Sequence, residues 1–325
     1  MKYDIRLDKK NGVIWDITNI VSKAILTLKR TGSCGSLSLT CVKGDAFHQN
    51  NPFEFENGDI IQLYIDGVGR FYGYIFKIEN KVKEQSCTIT CYDQIKYLLY
   101  NATYSFINKK ASEIIKSIAE EFKLRVGKIA DTQFVIPKLL QDNKKLLDTC
   151  SEALYLTSDN GGGQYCLYDD FGYLTLKALV DMKTEFVLSD TTHIEDVTFN
   201  KDIEDSYSIF KLVRDNKETG KRDAFVYQNS DLINKWGMLQ YFNTVDEGLN
   251  DAQIQRQLDA LYAMKGKEKK SLSIKSTGEF VRAGESVAII VEELDLKQYF
   301  VIDEVKHTFE NGDVHNMDLT LYVAD

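Results

Sequence analysis

No stretch of this sequence approaches the roughly 18 consecutive apolar residues that a membrane-spanning helix needs. The opening MKYDIRLDKK also lacks the apolar core of a secretory signal. The expectation is a chain made in the cytoplasm, with no membrane insertion. Dense Lys/Arg blocks are missing as well. The 40 basic residues face 49 acidic ones, for a formal charge of −9, which argues against a grip on nucleic acid by phosphate neutralisation. CxxC does not occur, and no His stands at zinc-ligand spacing from Cys34, Cys41, Cys87, Cys91, Cys150 or Cys166. In SCTITCY, Cys87 and Cys91 share a strand face with Ile89. The expected role of these thiols is that of small buried hydrophobes.

Catalytic signatures are missing too. There is no GxSxG and no HExxH, and DNGGGQY at 159–165 has no Gly-Lys-Ser/Thr after it. The histidines are His48, His193, His307 and His315. His307 and His315 flank the turn TFENGDV and are placed to face each other across a hairpin, with no third ligand nearby. Acidic pairs such as Glu120/Glu121, Asp169/Asp170 and Glu292/Glu293 read as solvated charge on helix faces, strand ends and turns. The expectation is a protein that is not an enzyme, with no catalytic, metal-binding or cofactor-binding residues and no cofactor.

What is present is β-structure in quantity. A chain of 325 residues, 43% hydrophobic and 27% charged, has the composition of a folded protein of two or three domains. Over roughly the first hundred residues, AILTLKR and SLSLTCV alternate apolar and polar positions around the turn TGSCG. DIIQLYIDG, RFYGYIFKI and SCTITCYD follow. The second of these is apolar on both faces, so it must be covered twice. Short strands with frequent turns suggest a small barrel or sandwich. The composition then changes. KKASEIIKSIAEEFKL puts Ile114, Ile115, Ile118, Ala119 and Phe122 on one helical stripe, and NKKLLDTCSEALYLTSD does the same with Leu146, Leu147, Cys150, Ala153 and Leu154. GGGQYCLYDDFGYLTLKAL reads as a hairpin turning at Asp169–Gly172.

The last third repeats the first. FENGDIIQLYIDGVGRFYGYIFKIEN has its counterpart in VRAGESVAIIVEELDLKQYFVIDEVKHTFENGD: a Gly and an acid (Gly58-Asp59, Gly284-Glu285), a strand, a polar turn and a second strand. Thr90-Cys91-Tyr92 aligns with Thr320-Leu321-Tyr322. The hairpin YSIFKLVRD/RDAFVYQ is expected to match AILTLKR/SLSLTCV, and helices at Ser230–Gly266, capped by Asn250 and Gly266, to be an insertion. The expected fold class is therefore mixed β with α+β. Two related small β-barrels (1–100 and 191–325) flank a central α+β domain (101–190), and the second barrel carries a helical insertion at about 229–270. Three such chains would present six similar barrels, approximating six-fold symmetry in a three-fold ring.

These segments also resemble a family. FENGDIIQLYIDGVGRFYGYIFKIE with CYDQIKYLL, ASEIIKSIAEEFKLRVG, LDTCSEALYLTSDNGGGQYCLYDDFGYLTL, NSDLINKWGMLQ, FVRAGESVAIIVEELDLKQYFVIDEVKHTF and VHNMDLTLYV resemble, in that order, the XkdQ/YqbQ-type baseplate hub proteins of contractile-tailed phages, prophages and phage-tail-like bacteriocins. The resemblance implies tail-tube-like barrels and a homotrimer placed between the tail-tube protein and the central spike protein, among other baseplate proteins. It also implies a site in the virion tail baseplate after assembly in the bacterial cytoplasm, with DNA only as transient cargo in the channel. Phe71, Tyr72, Tyr74, Phe76, Tyr299, Phe300 and Ile302 are the expected subunit-interface residues, because two-sided Tyr-rich strands suit subunit packing. A tail-associated peptidoglycan hydrolase and a carbohydrate- or receptor-binding module are the alternatives. A fused lytic domain is not expected, since the last strand ends close to Asp325.

Overall fold

The computed structural model describes residues 2–42, 54–81, 83, 85–216, 220–310 and 314–323. The opening strands are β1 (Tyr3–Asp8), β2 (Ile14–Asp16), β3 (Val21–Lys29), β4 (Ser36–Val42), β5 (Ile60–Ile65), β6 (Val68–Lys81) and β7 (Ser86–Tyr92). The alternation read in the sequence is the alternation of burial. SLSLTCV buries Leu37, Leu39 and Cys41, and SCTITCY buries Cys87, Ile89 and Cys91. The strands lie in the order β2-β1-β5-β6-β7-β4-β3.

Next come β8 (Asn101–Lys110), α1 (Ala111–Glu121), β9 (Val126–Ile129), β10 (Val135–Lys145), α2 (Leu146–Asp159), β11 (Tyr165–Asp169) and β12 (Leu174–Ala178). β8 pairs with β10, and β11-β12-β9 form a small sheet. Helix α1 turns Ile114, Ile115, Ile118 and Ala119 into a core shared with Leu146, Leu147, Cys150 and Ala153 of α2. Phe122 caps α1 and remains exposed.

The remaining elements are β13 (Lys183–Ser189), β14 (Ile194–Asp202), β15 (Ile209–Asn216), β16 (Lys221–Gln228), α3 (Ser230–Trp236), β17 (Gln240–Val245), α4 (Asp251–Lys265), β18 (Lys269–Thr277), β19 (Ser286–Val291), β20 (Leu296–Glu310) and β21 (Val314–Val323). The order β13-β19-β20-β21-β18-β14 repeats the order β1-β5-β6-β7-β4-β3, strand for strand. One pairing differs in sense: β1 runs antiparallel to β5, whereas β13 runs parallel to β19.

Two features depart from the sequence reading. The hairpin β15–β16, expected to open the second unit, belongs instead to a separate sheet, β16-β15-β17. Its core is closed by Ile254, Leu258 and Leu261 of α4, with Asn250 capping α4 through the Gln253 amide. The strands that occupy the places of β3 and β4 are β14 and β18. The chain leaves the large sheet at Asp202 and returns at Lys269, which are ladder partners.

The second departure concerns closure. The described residues form no closed barrel, but one 13-stranded sheet that runs through both units. The cause is the length of β20. Its first half pairs with β19, and its second half, Glu304–Glu310, pairs with Lys29–Lys23 of β3. A single apolar core accordingly runs from Ile5 and Leu7 through Leu26 and Leu39 to Val287, Val305 and Phe309.

Candidate functional site

The Gly-acid pairs make the same corner twice. Gly58 and Gly284 both have φ +92°, a left-handed conformation that favours glycine. The Gly58 amide donates to the Ile75 carbonyl (2.7 Å), and the Ile75 amide to the Asp59 carbonyl (2.9 Å). Gly284, Ile302 and Glu285 repeat these bonds at 2.7 and 2.9 Å. The acid side chain tightens the turn. Asp59 Oδ2 accepts from the Glu56 amide at 2.9 Å, and Glu285 Oε2 from the Arg282 amide at 2.8 Å. Each corner abuts a β-bulge, between Ile75 and Lys77 or between Ile302 and Glu304.

The outer face of β5 and β6 is covered by the middle of the chain. Phe171, in the β11–β12 turn, packs edge-on to Tyr64 and Tyr72 with centroids at 5.1 and 5.7 Å. Glycine is needed on both sides of this contact. A Cβ at Gly69 would lie 2.6 Å from the Phe171 ring, and one at Gly172 would lie 2.9 Å from Tyr72. The Arg125 guanidinium sits 4.3 Å over Tyr72, and Tyr97 packs against Tyr74 and Phe76 at 5.9 and 6.0 Å. Of the seven residues expected at a subunit interface, Phe71, Phe300 and Ile302 spend their side chains in the core. Tyr72, Tyr74 and Phe76 are half-buried under these internal contacts. Tyr299 keeps 36% of its surface, beneath the Lys183 ammonium at 3.8 Å.

A buried polar junction fixes the middle of the chain to both β units. Asp93 Oδ2 accepts from the Gly35 amide at 2.8 Å, and Gln94 Nε2 donates to Asp169 Oδ2 at 2.8 Å. Arg282 Nη1 donates to the Asp169 carbonyl at 2.9 Å. Burial, with the neighbouring Asp169 second, pushes the Asp93 carboxyl well above the carboxylate range. Burial likewise raises Asp169.

His307 and His315 do face each other, with Nδ1 and Nε2 2.9 Å apart. His307 Nε2 lies 2.8 Å from the Val281 carbonyl, and His315 Nδ1 lies 3.0 Å from that of Gly278. Both carbonyls require a donor, which consumes the two protons of a neutral pair and leaves none for the His–His contact. The rings stack on Phe280 and Phe309 at 4.6 and 4.7 Å. Burial, then His315 and the nearby Arg282 and Arg70, pushes His307 down to about 3. Among the described residues no group of three or more His, Cys, Asp or Glu is placed to hold a metal ion. His48 lies outside the described residues. Each cysteine is buried and outside any disulfide, and burial raises Cys41 and Cys150 to about 12.

Sequence reasoning missed the sheet edges. β14 pairs with β18 on one side and has no strand on the other among the described residues. Beyond its bulge, Lys77–Glu79 of β6 pairs with β7 and likewise has no described strand on its far side.

A sequence model of the YqbQ-like family matches residues 25–322. Two proteins of Bacillus subtilis (strain 168) are similar over most of their length. YqbQ is 32% identical over 271 residues, 82% of each chain, and the phage-like element PBSX protein XkdQ is 31% identical over 273 residues, again 82% of each. Among solved structures, the fold matches the prophage MuSo2 43 kDa tail protein of Shewanella oneidensis, with TM-score 0.70, 14% identity and 98% of both chains covered. It also matches an Escherichia coli component of the type VI secretion system, c3393, described as structurally similar to T4 bacteriophage tail proteins gp27 and gp5. There the TM-score is 0.59 at 11% identity, over 100% of this chain and 77% of that one. With the family model covering nearly the whole chain and two relatives at 32% and 31% identity, this chain belongs to the YqbQ-like family.

Proposed function

We propose that this chain is a structural hub of a phage-type tail baseplate. Three copies form a ring with pseudo-six-fold character that joins a hexameric tail tube to a trimeric central spike. One observation carries the reading: the strand order β1-β5-β6-β7-β4-β3 recurs as β13-β19-β20-β21-β18-β14. Two like units per chain give six per trimer, which reconciles a six-fold neighbour with a three-fold one. The relatives support the setting, since one is a protein of a phage-like element and one matched fold is that of a prophage tail protein. In this reading the two units have the tail-tube-like shape once assembled, and Tyr72, Tyr74, Phe76 and Tyr299 lie in or beside subunit contacts. DNA passes the acidic ring as cargo without being held.

The test is co-expression with the tail-tube and spike proteins of its parent element, followed by affinity capture and electron microscopy. The expected result is a complex with three copies of this chain between tube and spike. Capture of neither partner, with peptidoglycan cleavage by the isolated chain on zymography, would replace the hub reading with an enzymatic one.

A further inference from the structure

The chain contains one completed join between unlike units and two edges that match its halves. In the completed join, Glu304–Glu310 of β20 pairs antiparallel with Lys29–Lys23 of β3. Its flanks are ion pairs, Glu304 with Lys29 at 3.0 Å and Glu310 with Lys23. Its inward residues Leu26, Leu28 and Val305 are buried.

The internal repeat places the counterparts. Thr90 of β7 pairs with Ser38 and Lys77, and Thr320 of β21 pairs with Ser273 and Glu304. Lys77 therefore stands where Glu304 stands. On the other side, Leu37 pairs with Leu26 as Leu272 pairs with Phe199, so Asp202 stands where Lys29 stands and Asp196 where Lys23 stands. The shared bulges, between Val21 and Lys23 and between Ile194 and Asp196, fix that register independently. The counterpart of β20's second half is thus Lys77–Glu79, and the counterpart of β3 is β14. Neither has a described strand on its far side.

We infer that β6 of one copy pairs antiparallel with β14 of the next, Lys77 opposite Asp202 and Glu79 opposite Asn200. The occupant of each edge is a second copy of this chain. Charge supports the choice, because a flanking ion pair recurs with its signs exchanged: Lys77 meets Asp202 where the internal join has Glu304–Lys29. Lys77 binds Glu79 at 2.7 Å in the single chain and exchanges it for Asp202 on assembly. Burial supports it as well. Ile78 and Phe199, the counterparts of Val305 and Leu26, are only half-buried on the edges. A like-signed edge would repel a neighbour, and edge strands left open invite unspecific pairing. The contact is head-to-tail, since an edge of one kind meets an edge of the other, and repetition gives a ring where the rotation between copies closes, as the ring reading above requires. The inference rests on the ring reading above and supplies its register.

The experiment uses the full chain, alone and with the tail-tube and spike proteins present. Glu79→Cys and Asn200→Cys are made as separate proteins, the native cysteines being buried. After mild oxidation, a mixture of the two is expected to give a disulfide-linked dimer, each alone none, and the doubly substituted chain a covalently closed ring. Lys77→Asp and Asp202→Lys are each expected to cut the cross-linked yield several-fold, and their combination to restore it. Dimers of Glu79→Cys with itself overturn the head-to-tail ladder. If microscopy shows a ring and the mixture does not cross-link, the ladder is wrong and the ring stands. If the chain stays monomeric even beside its partners and does not cross-link, both fall.

Discussion

The His307–His315 pair gives the molecule a defined acid sensitivity. Its neutral form satisfies two of three close contacts. A third proton would complete the set, but would place a cation in a fully enclosed site with Arg70 and Arg282 among its neighbours. Burial wins, holding His307 at about 3 against 6.5 for an exposed imidazole. A folded-state value below the unfolded one means that the unfolded chain binds more protons. Stability from this group is therefore full above pH 6.5 and is lost as the pH falls toward 3. At pH 5 the loss is about 2 kcal/mol, from 1.36 kcal/mol per unit of pKa difference. Asp93, Asp169 and Glu285, raised by burial, act in the opposite sense, so the wild-type curve alone would mix the effects. The assay is urea unfolding at pH 7.5, 6 and 5 on the wild type and on His307→Asn. Asparagine is the residue the repeat carries at this place in the first unit, as Asn80. The difference between the two proteins should narrow by about 2 kcal/mol on going from pH 7.5 to pH 5. A constant difference over that range would show that the pair binds its third proton equally well folded and unfolded, and the reasoning from burial would fail.

Two further outcomes follow from the contacts. Phe171→Ala removes the ring wedged against Tyr64, Tyr72 and Gly69. It should cost about 2 kcal/mol, less than a fully buried Phe, and hydrogen exchange should rise in β11, β12 and the outer residues of β6. Unchanged protection there would mean the turn does not brace the sheet. Phe300→Glu puts a carboxylate into the core, and insoluble or protease-sensitive protein is expected. Tyr299→Glu, one residue away on the surface, should leave thermal unfolding within about 0.5 kcal/mol of wild type while reducing ring yield. Equal behaviour of the two variants would remove the distinction between core and contact face.

Much of this was legible in the sequence. Alternation in SLSLTCV and SCTITCY, the stripes of α1 and α2, and the Gly-acid corners each have a local physical cause. The second unit was harder because its hairpin is split. YSIFKLVRD/RDAFVYQ alternates as well as any strand pair, and alternation does not say which sheet a strand joins. The missed signal was Ser271-Leu272-Ser273-Ile274, a near copy of Ser36-Leu37-Ser38-Leu39, lying beyond the insertion. That the second face of RFYGYIFKI needs a cover was legible, but what supplies it was not. Tyr72 and Tyr74 have the spacing of an exposed face, and only the arrival of Phe171 and Tyr97 from elsewhere in the chain decides that they are partly covered. Nor does periodicity reveal that β3 and β20 meet, since that join depends on a strand outrunning its first partner.

Asp202 and Lys269 lie side by side on adjoining strands, about 5 Å apart. Everything between them enters and leaves the scaffold through one narrow doorway. Such a loop can be lengthened, exchanged or trimmed at little entropic cost, because its ends need not move. The place therefore serves as a socket: a lineage could fit a new accessory there while the large sheet kept its dimensions.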